Sequence, residues 1–368
     1  MTTHALSEDR RIVMTLDAGG TNLKFSAVRA NEVLVPPVTL PSQGDDADRC
    51  VGNMVQGFEC IKQQVPGAPV AISVAIPGPA DYPSGILMNV GNLLGFRGGY
   101  PLAAVLEDRL GIPVFLNNDG DLFAYGEAMA GFLPWVNEML EKAGSPKRYR
   151  NLFGLTLGTG LGGGIVRDGE LFVGDNSAGG EAWLLRDKLD PSRNAEEGAS
   201  IRAVRRVYAA QCGIAFEEAP EPKEIFEIGM GCAAGNRAAA VEAFRQMGEV
   251  AGDVLAQALT LFDGLAVIGG GISGAYPLFL QPVVDAMNST FEDSGHRRLI
   301  ARAFNIEDPA ARDCFLKGEA REAVVPGSGR VIRYDPLQRT AVGISRLGTS
   351  EAVAIGAYAF ALRKLGPA

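Results

Sequence analysis

The chain has 368 residues, 47% hydrophobic and 21% charged, the proportions of a soluble globular protein, which exclude a disordered or fibrous one. Net charge is -9 with no dense Lys/Arg run; the pairs Arg10-Arg11, Arg205-Arg206 and Arg297-Arg298 read as solvated surface, which argues against non-specific nucleic-acid binding. Glycine is the outlier: 47 residues, roughly 13% against about 7% in average chains.

In chain order, residues 11–16 predict a short apolar strand running into Asp17-Ala-Gly-Gly-Thr-Asn22, and a second apolar run, 23–28, follows at once. Strand, glycine turn, strand is a hairpin pattern. Residues 70–76 (VAISVAI) predict a strand that stops at Pro77-Gly78-Pro79. Helical spacing marks 100–110, ended by Gly111. A short strand at 113–116 leads into Asn117-Asn118-Asp119-Gly120, and 121–131 predicts a helix with small residues on one face. The pattern restarts with an apolar strand at 152–157, a glycine-rich turn over Gly158–Gly164 carrying Thr159, a strand at 165–167 and a turn at Asp168-Gly169. Residues 194–211 and 236–262 predict helices. A buried strand at 265–268 enters Gly269-Gly270-Gly271-Ile272-Ser273, with a helix from about Pro277. The stretch 292–345 is charged and aperiodic, with one hairpin pairing 331–334 with 340–344. Residues 351–364 close the chain as an amphipathic helix. Strands alternating with helices predict an α/β fold in two similar halves.

The charge-free stretches 63–80 and 265–284 are broken by Pro and Gly, so they read as buried strands entering turns and not as membrane spans. Five cysteines (50, 60, 212, 232, 314), odd in number and widely spaced, argue for free thiols in a reducing compartment. The first residues lack the apolar run of a signal peptide. A cytoplasmic location is expected.

Backbone N–H groups on glycine turns bind phosphate well, because no Cβ holds the backbone away. Three such turns end apolar strands here: Asp17–Asn22, Leu157–Gly164 and Gly269–Ser273. None is a Walker A loop, and no G-x-G-x-x-G opens a helix after the first strand. Phosphoryl transfer to an alcohol needs a carboxylate that accepts the hydroxyl proton and an acidic Mg²⁺ anchor near the phosphates. Asp119, at a strand–helix seam, suits the first role, although a polar residue at such a seam also suits a helix cap; Asp17 suits the second. Glu181, flanked by Gly179-Gly180, could bind sugar hydroxyls or be an ordinary loop acid. Asn92 could add a hydroxyl contact or form an Asx-turn.

Taken in order, these segments resemble the ROK family of bacterial sugar kinases and regulators, within the actin/hexokinase-like ATPase superfamily. LDAGGTNLKF (16–25) resembles the family's first phosphate motif, SVAIPGPAD (73–81) its Pro-Gly-Pro turn, and NLLGF (92–96) its sugar-binding segment. LNNDGDLFAYGE (116–127) is similar to the block that carries the catalytic base. LGTGLGGGIVRDGELFVG (157–174) resembles the second phosphate motif, VIGGGIS (267–273) the adenosine motif, and LGTSEAVAIGAYAFA (347–361) the C-terminal helix. The resemblance implies an α/β protein of two actin/ribonuclease H-like domains with a nucleotide and sugar cleft between them. The expected boundaries are 1–118 with 351–366, and 119–350. It implies ATP and Mg²⁺, with Asp17, Gly19, Gly20, Thr21, Asn22, Lys24, Gly158, Thr159, Gly160, Gly269, Gly270 and Gly271 on the nucleotide. Asp17 would hold Mg²⁺ through water, and Gly78, Asn92, Asn118, Asp119 and Glu181 would meet the sugar, with Asp119 as the base.

Two departures stand out. The family follows its Ala-Gly-Glu with Ile-Gly-His and a cysteine cluster that binds zinc, whereas Gly179-Gly180-Glu181 is followed here by Ala-Trp-Leu184. With two histidines in the chain and Cys212 far from Cys232, no structural zinc is expected, since such a site needs four close N/S ligands. The second Asn of the family's Asn-Asp-x-Asn is Asp121 here. Only 16 residues precede Asp17, too few for the helix-turn-helix of the family's repressors. The expectation is an ATP-dependent sugar kinase, with a sugar substrate and a second copy of the chain as partners and neither nucleic acid nor membrane. An idle sugar-binding sensor of the same fold, and a related enzyme acting on a carboxylate, stay open.

Overall fold

The computed structural model describes residues 3–367. It divides into two units. Unit 1 takes the chain up to Gly131, Gly164–Gly180 and the chain from Arg346 onward; unit 2 takes Phe132–Gly163 and Glu181–Ser345. Beside the expected boundaries, unit 1 also takes in 119–131, 164–180 and 346–350.

The sheet of unit 1 is built on β1 (Ile12–Ala18), which pairs antiparallel with β2 (Asn22–Arg29) and parallel with β3 (Pro69–Ala75). β4 (Val114–Asn117) extends it, parallel to β3. β1 is buried almost throughout, because helices cover both faces and an alternating pattern would strand polar groups. On one face α1 (Ala47–Gln64) presents Cys50, Val51, Met54, Phe58 and Ile61; the Phe25 and Phe58 rings meet edge to face at 5.1 Å. Asp46 caps α1 through Asp48 N and Arg49 N. The predicted helix at 100–110 is α2 (Leu102–Leu110), begun after Pro101 and ended by Gly111 in the left-handed region.

β4 runs directly into α3 (Asp119–Met129). The C-terminal helix, Thr349–Leu365, crosses α3 at glycines on both sides. A Cβ at Gly126 would lie 1.9 Å from the Ala352 carbonyl oxygen, and one at Gly356 would lie 1.8 Å from that of Leu122. This helix is not the amphipathic one expected: Ile355–Leu362 is buried on every side, and its small residues serve contact all round. Glu127, fully buried on α3, accepts from Arg346 N at 3.1 Å and Leu347 N at 3.1 Å, tying α3 to the turn that starts the C-terminal helix. Glu127→Ala would bury two N–H groups without that acceptor. It is expected to cost about 2–4 kcal/mol, read as a lowered urea midpoint; an unchanged midpoint would remove Glu127 from this role.

In unit 2, β5 (Leu152–Leu157), β6 (Leu265–Gly269) and β7 (Arg339–Ile344) run parallel side by side, with Arg302–Asn305 parallel beyond β7. Helix Arg237–Phe262 packs on Tyr276–Asn288 at Gly248 and Gly252, where a Cβ would lie 2.5 Å from Phe279 O and 2.3 Å from Val283 O.

Three local expectations are corrected. The strand at 331–334 pairs with Arg321–Val324 in an exposed hairpin, while 339–344 is a central sheet strand. Arg339 starts that strand, its side chain 0% exposed and bonded to Asp335, to the Phe315 carbonyl at 2.7 Å and to Ser145 Oγ at 3.3 Å. The helix predicted from 194 begins at Ile201; Asn194 caps a 3₁₀ turn at Ala195–Glu197, and Gly198 ends it. The glycine-rich turn is confined to Gly158–Gly160, because Leu161–Arg167 is already strand. There Gly164 lies on the start of α3, where a Cβ would sit 2.6 Å from Gly120 O. Among the described residues no helix is long and apolar enough to cross a membrane, and all five cysteines are free thiols.

Candidate active site

The predicted site residues of unit 1 converge on one edge of its sheet. Asp17 is registered with Ala75 on β3, and Ala75 with Asn117 on β4. At about 4.8 Å per strand, the ends of β1 and β4 lie roughly 10 Å apart, so Asp17 and Asn118-Asp119 emerge on the same rim. Gly19 N donates to Asn22 O at 3.0 Å and closes the first turn, leaving Gly20, Thr21 and Asn22 exposed. Asn92 is held against this turn: a Cβ on Gly20 would lie 2.9 Å from the Asn92 Cβ. Gly95 N donates to Gly44 O at 2.7 Å and fixes the 92–96 segment beside the start of α1.

The helix cap is Asn118 and not Asp119. Asn118 Oδ1 accepts from Gly120 N at 2.8 Å, and its Nδ2 donates to the Tyr82 hydroxyl at 3.3 Å. Tyr82 in turn donates to Ile76 O at 2.9 Å and lies over Gly78. Tyr82 thus links the Pro77-Gly78-Pro79 turn to the catalytic candidate, a link with no local signature in the sequence. Asp119, first residue of α3, is exposed; one of its oxygens accepts from Gly120 N at 3.0 Å.

Asp17 has its carboxyl pushed up to about 6, chiefly by burial, then by the negative charge of Asp119, with Lys24 opposing. Lys24 Nζ donates to Ser350 Oγ at 3.2 Å. A partly buried acid beside another carboxylate is a place that a divalent cation would stabilise, so the residues fit the expected Mg²⁺ anchor. Among the described residues no group of three or more His, Cys, Asp or Glu is arranged to hold a metal by itself.

Only the carboxylate binds a cation, so Mg²⁺ affinity is expected to fall as pH drops through about 6. The folded chain holds this proton more tightly than the unfolded one, where the ordinary value is 3.8. Ionised Asp17 therefore weakens the fold progressively as pH rises between those values, and fully above them. Asp17→Asn is expected to raise stability at pH 7.5 by on the order of 2 kcal/mol while abolishing Mg²⁺-dependent turnover. A lower Tm at pH 7.5 would contradict this.

Unit 2 brings the second and third glycine turns together. Gly270, at φ +91°, would place a Cβ 2.2 Å from Leu157 O, so glycine is required there. Ile272 N donates to that same Leu157 carbonyl at 3.1 Å, and Ser273 Oγ returns to Gly270 O at 2.7 Å. The turn Gly158-Thr159-Gly160 is braced from behind by Glu196, which accepts from Leu161 N at 3.1 Å and would meet a Cβ on Gly160 at 2.5 Å. Arg202 binds Glu196 at 3.0 Å, Glu197 at 2.8 Å and Thr159 O at 3.3 Å. Glu196 and Arg202 have no local signature in the sequence, because they lie some 40 residues beyond the turn they hold. Glu181 also belongs to unit 2, at the head of the 3₁₀ turn Ala182–Leu184.

Mixed α/β units with glycine turns at their strand ends are those of the actin/hexokinase-like fold, shared with solved sugar kinases. The chain belongs to the ROK family, whose model matches residues 13–311. It is 51% identical to a glucokinase from Parabacteroides distasonis, over 97% of this chain and 99% of that one, with a TM-score of 0.88. An N-acetyl-D-glucosamine kinase from Vibrio cholerae is 32% identical over 174 residues, 47% of this chain and 52% of that one; the match thus spans about half of that relative. A ROK family glucokinase from Streptomyces griseus, solved with glucose and AMPPNP, is 21% identical over 96% of this chain and 99% of that one, with a TM-score of 0.63, a likeness of fold.

Proposed function

We propose that the protein is an ATP-dependent sugar kinase, transferring a phosphoryl group to a hydroxyl of a hexose or N-acetylhexosamine. The observation that carries this reading is the shared rim of Asp17 and Asp119, with Asn118 taking the cap so that the Asp119 carboxylate stays exposed. Glucokinase and N-acetyl-D-glucosamine kinase are the names borne by the relatives, which supports this acceptor class.

In this reading Asp119 accepts the proton of the attacking hydroxyl, and Asn92, Asn118, Glu181 and the backbone at Gly78 bind the sugar. The turns at Gly19–Asn22 and Gly158–Gly160 present N–H groups and threonine hydroxyls to the phosphates, with Lys24 adding positive charge. Gly269–Gly271 leaves room for the adenosine. Bound Mg²⁺, anchored by Asp17 through water, would neutralise phosphate charge. A homodimer is the proposed assembly.

The test is a coupled ADP-release assay over hexoses, ketohexoses and N-acetylhexosamines. ADP release dependent on one sugar supports the kinase. Thermal stabilisation by a sugar without ADP release would instead favour the idle sensor.

A further inference from the structure

Glu181 is followed by a 3₁₀ turn closed by Leu184 N to Glu181 O at 3.2 Å and Leu185 N to Ala182 O at 3.1 Å. Ala182 is buried, and Ala195 N donates to Leu185 O at 2.7 Å, so the turn is pinned from both sides. This local geometry folds the indole of Trp183 back onto Glu181, where Nε1–H donates to Oε2. An indole nitrogen is a donor only, and it is neutral. It therefore orients the carboxylate without neutralising it, as Arg or Lys would, and Oε1 has no partner among the described residues. Trp183 and Glu181 are both partly exposed, so the ring can offer an apolar face beside the oriented acid, the combination that a pyranose presents in mirror form: hydroxyls at the rim and C–H groups on the face.

From this pairing we infer that Trp183 is the positioning residue of the sugar site. It holds Glu181 in the rotamer that receives sugar hydroxyls and supplies the surface on which the ring lies. The inference rests on the sugar-kinase reading for the ligand class. It adds that the acceptor is a pyranose, held through a carboxylate aligned by an indole.

Trp183→Phe keeps an aromatic face and deletes the N–H. Its expected effect is a rise of about tenfold in the KM for sugar, the size of one charge-assisted hydrogen bond. The expected change in kcat is under about threefold, with the KM for ATP unmoved. Trp183→His, which restores a ring N–H, should recover part of the loss. A residue that only packs would lower stability and leave this KM split unchanged. The second measurement leaves Trp183 intact. Trp135 and Trp183 are the two tryptophans of the chain, so in Trp135→Phe the remaining indole reports on Glu181. Adding glucose or N-acetylglucosamine should shift or quench its emission, saturating near the KM, whereas ATP alone should not.

A sugar KM in Trp183→Phe within twofold of wild type, or an emission indifferent to a sugar that is turned over, overturns the inference while the kinase reading stands. Emission that responds to sugar with no ADP release upholds Trp183 and removes the kinase reading. Silence of both signals to every sugar removes both.

Discussion

Asp119→Asn is expected to lower kcat for sugar phosphorylation by about 10²–10⁴-fold, the contribution of a positioned general base. The KM for ATP should stay within about twofold. The substitution is nearly isosteric, the side chain is exposed, and the α3 cap belongs to Asn118, so the fold has no reason to change. An amide oxygen can still accept from Gly120 N, as the carboxylate does at 3.0 Å, but it cannot take a proton from a hydroxyl at neutral pH. A second effect distinguishes loss of the base from a general loss of structure. The charge of Asp119 helps to hold Asp17 up near 6, so its removal should move the Asp17 titration downward, and the pH at which Mg²⁺ affinity falls should move with it. Near-native turnover in Asp119→Asn would remove Asp119 from the role of base.

Gly356→Ala is expected to be the most damaging single-methyl change in unit 1. The added carbon would lie 1.8 Å from the Leu122 carbonyl oxygen and 2.9 Å from Gly126 N, backbone atoms that cannot rotate aside. Relief requires α3 and the C-terminal helix to separate, opening buried contacts along Ile355–Leu362 and moving the helix whose first residue is Asp119. The expected cost is on the order of 3 kcal/mol or more, with loss of soluble protein or of turnover. The control is Gly52→Ala, on the exposed face of α1, where a Cβ meets nothing within 4 Å. That change should stabilise by about 0.5–1 kcal/mol through helix propensity. Urea unfolding of both proteins checks the pair, and equal midpoints would show that the helices do not cross as closely as described.

The contrast between these glycines also explains what the sequence could and could not convey. The first hairpin is legible because apolar strands on each side of Asp17–Asn22 leave few alternatives; the register that aligns Asp17 with Ala75 and Asn117 is supplied by the folded sheet alone. Gly162–Gly164 read as turn because glycine is the commonest turn residue. Yet Gly164 sits in a strand for a tertiary reason, the close approach of α3. The strand at 340–344 is legible, but its partners are not: nearness in sequence suggests 331–334, whereas the fold pairs it with strands 265–269 and 302–305 and buries Arg339 at its start among Asp335 and three further partners. Tyr82, Glu127, Glu196 and Arg202 hold the candidate site from a distance in sequence, through bonds that no spacing rule announces. The glycine excess proves to have two uses: some glycines open the strand-end turns toward a ligand, while others, such as Gly126, Gly248, Gly252 and Gly356, bring helices into backbone contact.

Product analysis by mass spectrometry, after incubation with ATP, Mg²⁺ and each sugar of the panel, reads the phosphoryl transfer itself. A sugar monophosphate is expected to form in step with ADP, one for one, and to be absent with Asp119→Asn. ADP without sugar phosphate, or a bound sugar recovered unmodified in every case, would contradict it.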